Sequence, residues 1–446
     1  MRRTIGALLA LGMWCCLGSA ASAQSSWVGG STLEGRLVVG ANGETWVGVW
    51  VDAPQIAVAP AARAPMAVSL VIDTSGSMAG DKITNARMAA SSLIESLADG
   101  DIVSIYGFSN DVTEVASPTM LSPSSRSELM RRVSMLVAGG GTNLYAGMQV
   151  GVSRIQMAPA SHSVRRIFLI SDGRANIGPS DPTTLGDLAA GATEWGTQVT
   201  AIGVGYDYDP QTLNSMVVRS AGRLHHLGAP QQMASILEQE LTRLSRAVAL
   251  NAHVIVEPAP GVVILDGATT GAVVEGGRLR FSMGAMDAGQ RREILFRVRI
   301  TDTAHTGART LATVRFGYER PNDRVEQTQL TAVRYEVTRD RHASTPTPRV
   351  AAMVAEHQAN EAQRRAAQAM ADGQRERAER ELATARAQLD QAAVTFSDDA
   401  VVGARLRGRA AAVAGDEERA RTSTTSGQMR ERSYELQAAP MAAEGY

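Results

Sequence analysis

The sequence predicts a doubly wound, Rossmann-like α/β domain inserted in an antiparallel β-sandwich and followed by a C-terminal helical hairpin. Three observations carry this reading. Between residues 66 and 246, near-continuous apolar runs such as 68–72 and 167–170 alternate with helical patterns, as a parallel sheet buried on both faces requires. From 247 to 337, short alternating runs follow one another without helices, separated by turn residues about every eight to twelve positions; that spacing belongs to a sandwich. From 350 to 393, Ala, Glu, Gln and Arg dominate and the run breaks once, at Asp372-Gly373, as two antiparallel helices would.

Residues 1–23 have the three parts of an export signal. Arg2 and Arg3 start it, an apolar run covers 5–18, and Ala21-Ser22-Ala23 forms a small-residue cleavage site before Gln24. The run is shorter than the roughly 18–20 apolar residues of a spanning helix, and no later stretch reaches that length. Cys15 and Cys16, the only cysteines, both lie inside it. Met13-Trp14 lacks the small residues that lipid attachment needs, and Thr4-Ile5-Gly6 departs from a twin-arginine pattern. The mature chain is therefore expected to be exported (periplasmic, cell-surface or secreted), free of cysteine, and without a transmembrane segment.

Residues 24–62 supply short strand-like runs at 35–39, 45–51 and 55–58, with Asn42-Gly43 predicting a hairpin between the first two. So short a ribbon buries too little apolar area to stand alone. It is expected to pair with strands of 247–340, which makes the sandwich discontinuous. Residues 60–65 read as a linker. Within 63–246 the predicted strands are 66–73, 101–109, 166–171, 198–206 and 223–228, with a short antiparallel edge at 111–116. Helices are predicted at 81–97, 124–137, 144–155, 182–195, 210–220 and 231–246. Within 247–340 the strands are 249–257, 261–265, 271–274, 278–283, 291–300, 309–318 and 324–337. The helical hairpin occupies 348–396, and the mixed Gly, Ser, Thr, Arg and Glu composition of 397–446 predicts a flexible tail.

Charge excludes several functions. The 44 Lys plus Arg nearly balance the 45 Asp plus Glu, leaving a formal charge of −1, so no chain-wide basic surface exists for nucleic acid. Lys82 is the sole lysine among those basic residues. A phosphate-binding loop needs glycine immediately before its lysine, and Asp81 stands there. No H-E-x-x-H zinc helix occurs.

The chemistry-bearing motif is Asp73-Thr74-Ser75-Gly76-Ser77, where the first apolar strand ends and a helix begins. Ligands of open α/β sheets bind at the carboxyl ends of strands. Asp73, Ser75 and Ser77 offer one carboxylate and two hydroxyls on alternate residues of a tight loop. Hard oxygen donors of this kind suit Mg²⁺, Mn²⁺ or Ca²⁺ and serve zinc poorly. Gly139-Gly140-Gly141-Thr142-Asn143 precedes a helix and presents Thr142, and Ser171-Asp172-Gly173 ends another strand with a second carboxylate. Helix capping is the alternative role for Thr142 and Asp172.

These three loops, in this order and at these separations, make residues 66–246 resemble the von Willebrand factor A family and its metal-ion-dependent adhesion site. The resemblance implies direct metal binding by Ser75 and Ser77. It implies direct or water-mediated binding by Thr142, Asp73 and Asp172, with an open position filled by an Asp or Glu carboxylate of a partner protein. The strand-rich flanks resemble secreted bacterial proteins related to calcium-activated chloride channel regulators, and integrins, in which the A domain sits inside a sandwich. A protein-binding adhesion or scaffold role, without catalysis, is the function expected.

The alternative is a metal-dependent phosphohydrolase using Asp73 as nucleophile, as in haloacid-dehalogenase-type enzymes. Those place a second aspartate two residues on as general acid, where this chain has Ser75. A serine hydrolase would need a G-x-S-x-G elbow, and Gly76 is misplaced for one. His225-His226 point to opposite faces of a strand, so one should be buried and one exposed, with neither a metal ligand. The Arg/Glu mixture of 364–386 reads as a solvated helix surface. Tyr206, Tyr208 and Trp195 are expected to pack or to rim the crevice.

Overall fold

The computed structural model describes residues 26–443, apart from 41–42, 56–64, 163, 206–207, 228–235, 237–238, 241, 243–246, 302, 322 and 341–344. The chain opens with β1 (Val28–Thr32), β2 (Arg36–Val38) and β3 (Glu44–Asp52). Alternation along β3 sends Val47, Val49 and Val51 into a core while Trp46 and Trp50 stay half-buried on the other face. β1 pairs antiparallel with β3. The runs expected to form a hairpin about Asn42-Gly43 do not pair, because β2 and β3 belong to different sheets; Asn42 itself lies outside the described residues. Most of the run expected at 55–58 and all of 60–64 lie outside the described residues.

The α/β layer follows with β4 (Met66–Asp73), α1 (Asp81–Ser96), β5 (Ile102–Phe108), β6 (Val112–Met120), α2 (Pro123–Ser134), α3 (Leu144–Gln156), β7 (Val164–Ser171), α4 (Pro182–Ala192), β8 (Thr197–Val204), α5 (Pro210–Arg219) and β9 (Arg223–Leu227). Helix starts are set by side chains that accept from exposed backbone N–H groups: Ser122, Asn143, Asp181 and Asp209 all do so. The sheet order is β6-β5-β4-β7-β8-β9, with β6 the one antiparallel member. All eight residues of β4 are buried, as a central strand covered on both faces must be. The predicted helix at 231–246 lies largely outside the described residues.

The sandwich is completed by β10 (Ala247–Pro258), β11 (Val262–Gly267), β12 (Val273–Glu275), β13 (Arg278–Asp287), β14 (Arg291–Ile300), β15 (Gly307–Glu319) and β16 (Glu326–Thr338). One sheet runs β1-β3-β14-β11 and the other β12-β13-β10-β15-β16-β2. Nine residue pairs join β3 to β14, from Arg291↔Asp52 to Arg299↔Glu44. β2 lies parallel to the end of β16. Val47, Val49, Val254, Phe281, Phe296 and Phe316 share one core between the two sheets. The N-terminal strands thus complete both sheets, and the α/β domain is inserted between β3 and β10.

Four helices close the chain: α6 (Pro348–Ala371), α7 (Arg375–Thr395), α8 (Ala400–Thr422) and α9 (Ser426–Ala443). The first two are the expected hairpin; the last two replace the expected flexible tail. Glycines at 403, 408 and 415 and a dense Arg/Glu mixture disguise α8 in the sequence. Yet Val402, Leu406, Ala410 and Val413 recur on one face and are buried among the helices, and Asp399 caps its first turn. Tertiary burial here outweighs the roughly 1 kcal/mol that each helical glycine costs.

α6 docks on the outer face of β3 and β14. Val350 and Met353 pack with Leu295, against Trp46 and Trp50. Arg349 bonds Asp52 and Glu293 at 2.8 Å each and lies 4.4 Å from the Trp50 ring centroid. Arg405 of α8 joins Glu293 (2.6 Å) and Glu356. These arginines, above all Arg405, hold the Glu293 carboxyl below its ordinary range against its burial. Among the described residues, no helix is long and apolar enough to cross a membrane.

Two outcomes follow for stability. Glu293→Ala, which strips a shared carboxylate from two part-buried guanidinium groups, should cost about 2 kcal/mol in denaturant unfolding. A fragment beginning at Ala247 strips β14 of β3 along one edge and β16 of β2, and should melt without a cooperative transition by circular dichroism. Adding residues 24–62 as a peptide should restore the transition; a cooperative fold without them would contradict the insertion.

Candidate functional site

Ile72 of β4 pairs with Ile170 of β7 at the centre of the sheet. The residues that close these strands, Asp73 on β4 and Ser171 with the following Asp172 on β7, therefore emerge side by side at the carboxyl edge. Asp73, Ser75, Ser171 and Asp172 are fully buried and Thr142 nearly so, while Ser77 is exposed at the mouth.

The Asp73 carboxylate ties the first loop down. Its Oδ1 accepts from the Ser75 N–H at 2.8 Å and its Oδ2 from the Ser171 hydroxyl at 2.6 Å. The Ser75 and Ser77 hydroxyl oxygens lie 3.0 Å apart. The second loop is clasped to the first by backbone bonds: Gly139 N–H donates to Thr74 O (2.7 Å) and Gly76 N–H to Gly140 O (2.9 Å). Gly140 holds φ at +81° there, a conformation that glycine adopts without penalty. Thr142 follows, its N–H donating to Asn176 Oδ1 at 2.7 Å, and Asn143 caps α3 by accepting from Ala146 N–H.

Asp172 belongs to the third loop. Its backbone oxygen accepts from Asp209 N–H at 2.8 Å, and its Oδ2 accepts from Lys82 Nζ at 3.1 Å. The Ser171 hydroxyl, besides donating to Asp73, accepts from Gly173 N–H at 2.8 Å. The structure thus gathers all five residues singled out from the sequence at one end of the sheet. Two members escaped that reading. Ser171 stood inside the quoted loop, but only the register of β4 against β7 reveals that it braces Asp73. Lys82 was visible as the sole lysine, yet its reach to Asp172 depends on how α1 leaves the loop.

The electrostatics suit a cation. Burial pushes the Asp73 carboxyl above its ordinary value; hydrogen bonds from Ser171 and Ser75 oppose this, and the nearby Asp172 charge adds to it. Among the described residues, no group of three or more His, Cys, Asp or Glu side chains could hold a metal. The site has two carboxylates, with hydroxyls making up the remaining donors. Such an all-oxygen set fits Mg²⁺, Mn²⁺ or Ca²⁺.

The other residues weighed from the sequence lie elsewhere. His225 and His226 are both half-buried rather than one buried and one exposed. His225 Nε2 meets Glu240 Oε1 at 3.3 Å, and His226 stacks 5.7 Å from the Tyr208 ring. Each finds cover from an element that the strand alternation alone does not show. Trp195 precedes β8 and so sits at the opposite end of the sheet from the crevice. Tyr208 is buried, and its backbone oxygen accepts from the hydroxyl of Tyr434 in α9 at 3.1 Å. Tyr206 lies outside the described residues.

Residues 68–239 match the von Willebrand factor type A domain model. An uncharacterized protein of Synechocystis sp. is 26% identical over 198 residues, 44% of this chain and 46% of that protein. Human inter-alpha-trypsin inhibitor heavy chain H3 is 27% identical over 164 residues, 35% of this chain and 18% of that one. The chain thus spans less than half the length of these relatives. Among solved structures, a von Willebrand factor type A protein from Catenulispora acidiphila superposes with a TM-score of 0.65 at 17% identity, covering 94% of this chain and 97% of that one. The ArnB paralog VWA2 from Sulfolobus acidocaldarius gives 0.58 at 16% identity over 93% and 97%. At such identities the likeness is one of fold, and it extends over the sandwich and the helices as well.

The raised Asp73 value has a definite sign. The folded state holds the Asp73 proton more tightly than the unfolded chain, so this contribution to stability is present below the ordinary value of 3.8. It is lost as pH rises from there through the folded value. With chelator present, Asp73→Asn should therefore gain stability relative to wild type across that window, by at most about 1.4 kcal/mol per pH unit. Urea unfolding at a series of pH values measures it; a constant difference between the two proteins would contradict the electrostatic picture.

Proposed function

We propose that the protein, whose residues 68–239 match the von Willebrand factor type A domain model, is an exported, divalent-metal-dependent binding protein, an adhesin or scaffold that captures a carboxylate of a partner. One observation carries the reading: two buried carboxylates converge with the Ser75 and Ser77 hydroxyls at the carboxyl edge of the sheet. Ser75, Ser77, Thr142, Asp73 and Asp172 would hold the metal. A bound Mg²⁺, Mn²⁺ or Ca²⁺ supplies a concentrated positive charge able to accept one more oxygen ligand. Ser77 and Gly76 are exposed at the mouth, where an Asp or Glu of the partner has access. Export rests on residues 1–23, which lie outside the described residues.

The geometry gives Asp73 a bracing role. One of its oxygens is held by the Ser75 N–H and the other by the Ser171 hydroxyl, and Ser75 occupies the place of the acid that an aspartyl phosphohydrolase needs. Binding without catalysis is the function this supports.

Millimolar Mg²⁺ or Mn²⁺ should raise the melting temperature of the mature protein by several degrees, the size expected when ligand exceeds Kd about a hundredfold. Asp73→Ala should abolish the rise. Pull-down from an envelope extract should recover a partner with Mg²⁺ and lose it with chelator. Absence of any metal effect on the wild-type melting temperature would sink the proposal, and turnover of a generic phosphoester with Mg²⁺ would replace it.

A further inference from the structure

Lys82 is placed against two local preferences. All the other basic residues of the chain are arginine, so the usual basic residue has been passed over at this one position. It is also the second residue of α1, whose first turn favours negative charge through the unpaired N–H groups there. Its ammonium group nevertheless reaches Asp172 Oδ2 at 3.1 Å, with the lysine side chain 19% exposed and the carboxylate fully buried. A compact ammonium can sit on one carboxylate oxygen, whereas a guanidinium is a broad planar fork that demands more room.

From this geometry we propose that Lys82 is a tethered placeholder cation. Its ammonium pairs with Asp172 in the metal-free protein, and a divalent cation displaces it from that carboxylate on binding. The proposal rests on the metal-site reading above. Two carboxylates balance one divalent cation, and adding the ammonium would leave excess positive charge in a buried site, where like charges repel strongly. Lys82 is thus a positioning residue. It keeps Asp172 in place while no metal is bound, and it sets the metal concentration at which the site fills.

Because Lys82 is the sole lysine, an amine-selective reagent can modify only it and the chain's α-amino group, which makes the exchange directly readable. N-acetoxysuccinimide should acetylate Lys82 slowly in metal-free mature protein and several-fold faster at saturating Mg²⁺, as followed by peptide mass spectrometry. Lys82→Met should bind Mg²⁺ at least about tenfold more tightly by calorimetry, the effect expected of removing a positive charge so close to a ligand. Its metal-free form should melt below wild type. Unchanged Lys82 acetylation while calorimetry shows Mg²⁺ bound would overturn the exchange, and this arm uses wild-type protein alone. Equal Mg²⁺ affinity in wild type and Lys82→Met would overturn it as well. If neither protein gives heat that Asp73→Ala removes, the metal site itself is wrong and the exchange fails with it.

Discussion

Asp73 and Asp172 are buried next to each other because β4 and β7 are neighbours at the middle of the sheet and both end at the same level. Two carboxylates in such a place repel, and each also loses its hydration. Much of the local structure answers that constraint. Ser171 and the Ser75 N–H each donate to Asp73, Lys82 donates to Asp172, and the glycine-rich loop is clasped onto the Asp73 loop by two backbone bonds. Each donor lowers the cost of the charge without removing it. The residual negative potential is what the proposed metal would neutralise.

The rest of the molecule holds this edge of the sheet in a larger frame. The sandwich receives both ends of the α/β domain, and the helical layer sits on the outer face of β3 and β14. There Arg349 and Arg405 share Glu293 beneath a patch of Trp46, Trp50, Leu295 and Met353. Tyr434 links the last helix back to Tyr208, whose neighbour Asp209 donates to the Asp172 carbonyl. The helical layer therefore touches both the sandwich and the α/β domain, and the Asp172 loop connects to it through Asp209 and Tyr208.

The α/β domain was legible in the sequence because its strands are buried on both faces and its helices carry polar caps. Residues 66–73 were predicted as a strand and form one with those same bounds. Side-chain alternation made β3 legible too, and its pairing with a strand of the later block was expected. The hairpin with β2 was expected as well and does not form. Asn42-Gly43 is the local signature of a hairpin, yet β2 joins β16 and β3 joins β14, since a sandwich assigns strands to sheets by distant partners. α8 was hidden by its glycines and arginines; its apolar face gains meaning only when α6 and α7 are present to cover it. At the site, the motif residues could be read directly because their types and spacing are local. Ser171 and Lys82 could not, because hydrogen bonds across strands and from a helix to a loop leave no periodic trace.

The ladder between β3 and β14 joins residues as far apart as Glu44 and Arg299, 255 positions along the chain. During synthesis β3 emerges long before its partner and for that interval is an apolar strand with an unsatisfied edge. Contacts of such sequence separation form late, because the chain between them must first lose its freedom. The inserted domain shortens the wait. Once it folds, most of the intervening chain becomes a compact body, and β10 to β14 need only assemble on strands already at hand. Folding of the inserted α/β domain therefore shortens the time for which the N-terminal strands remain open to pairing with other chains.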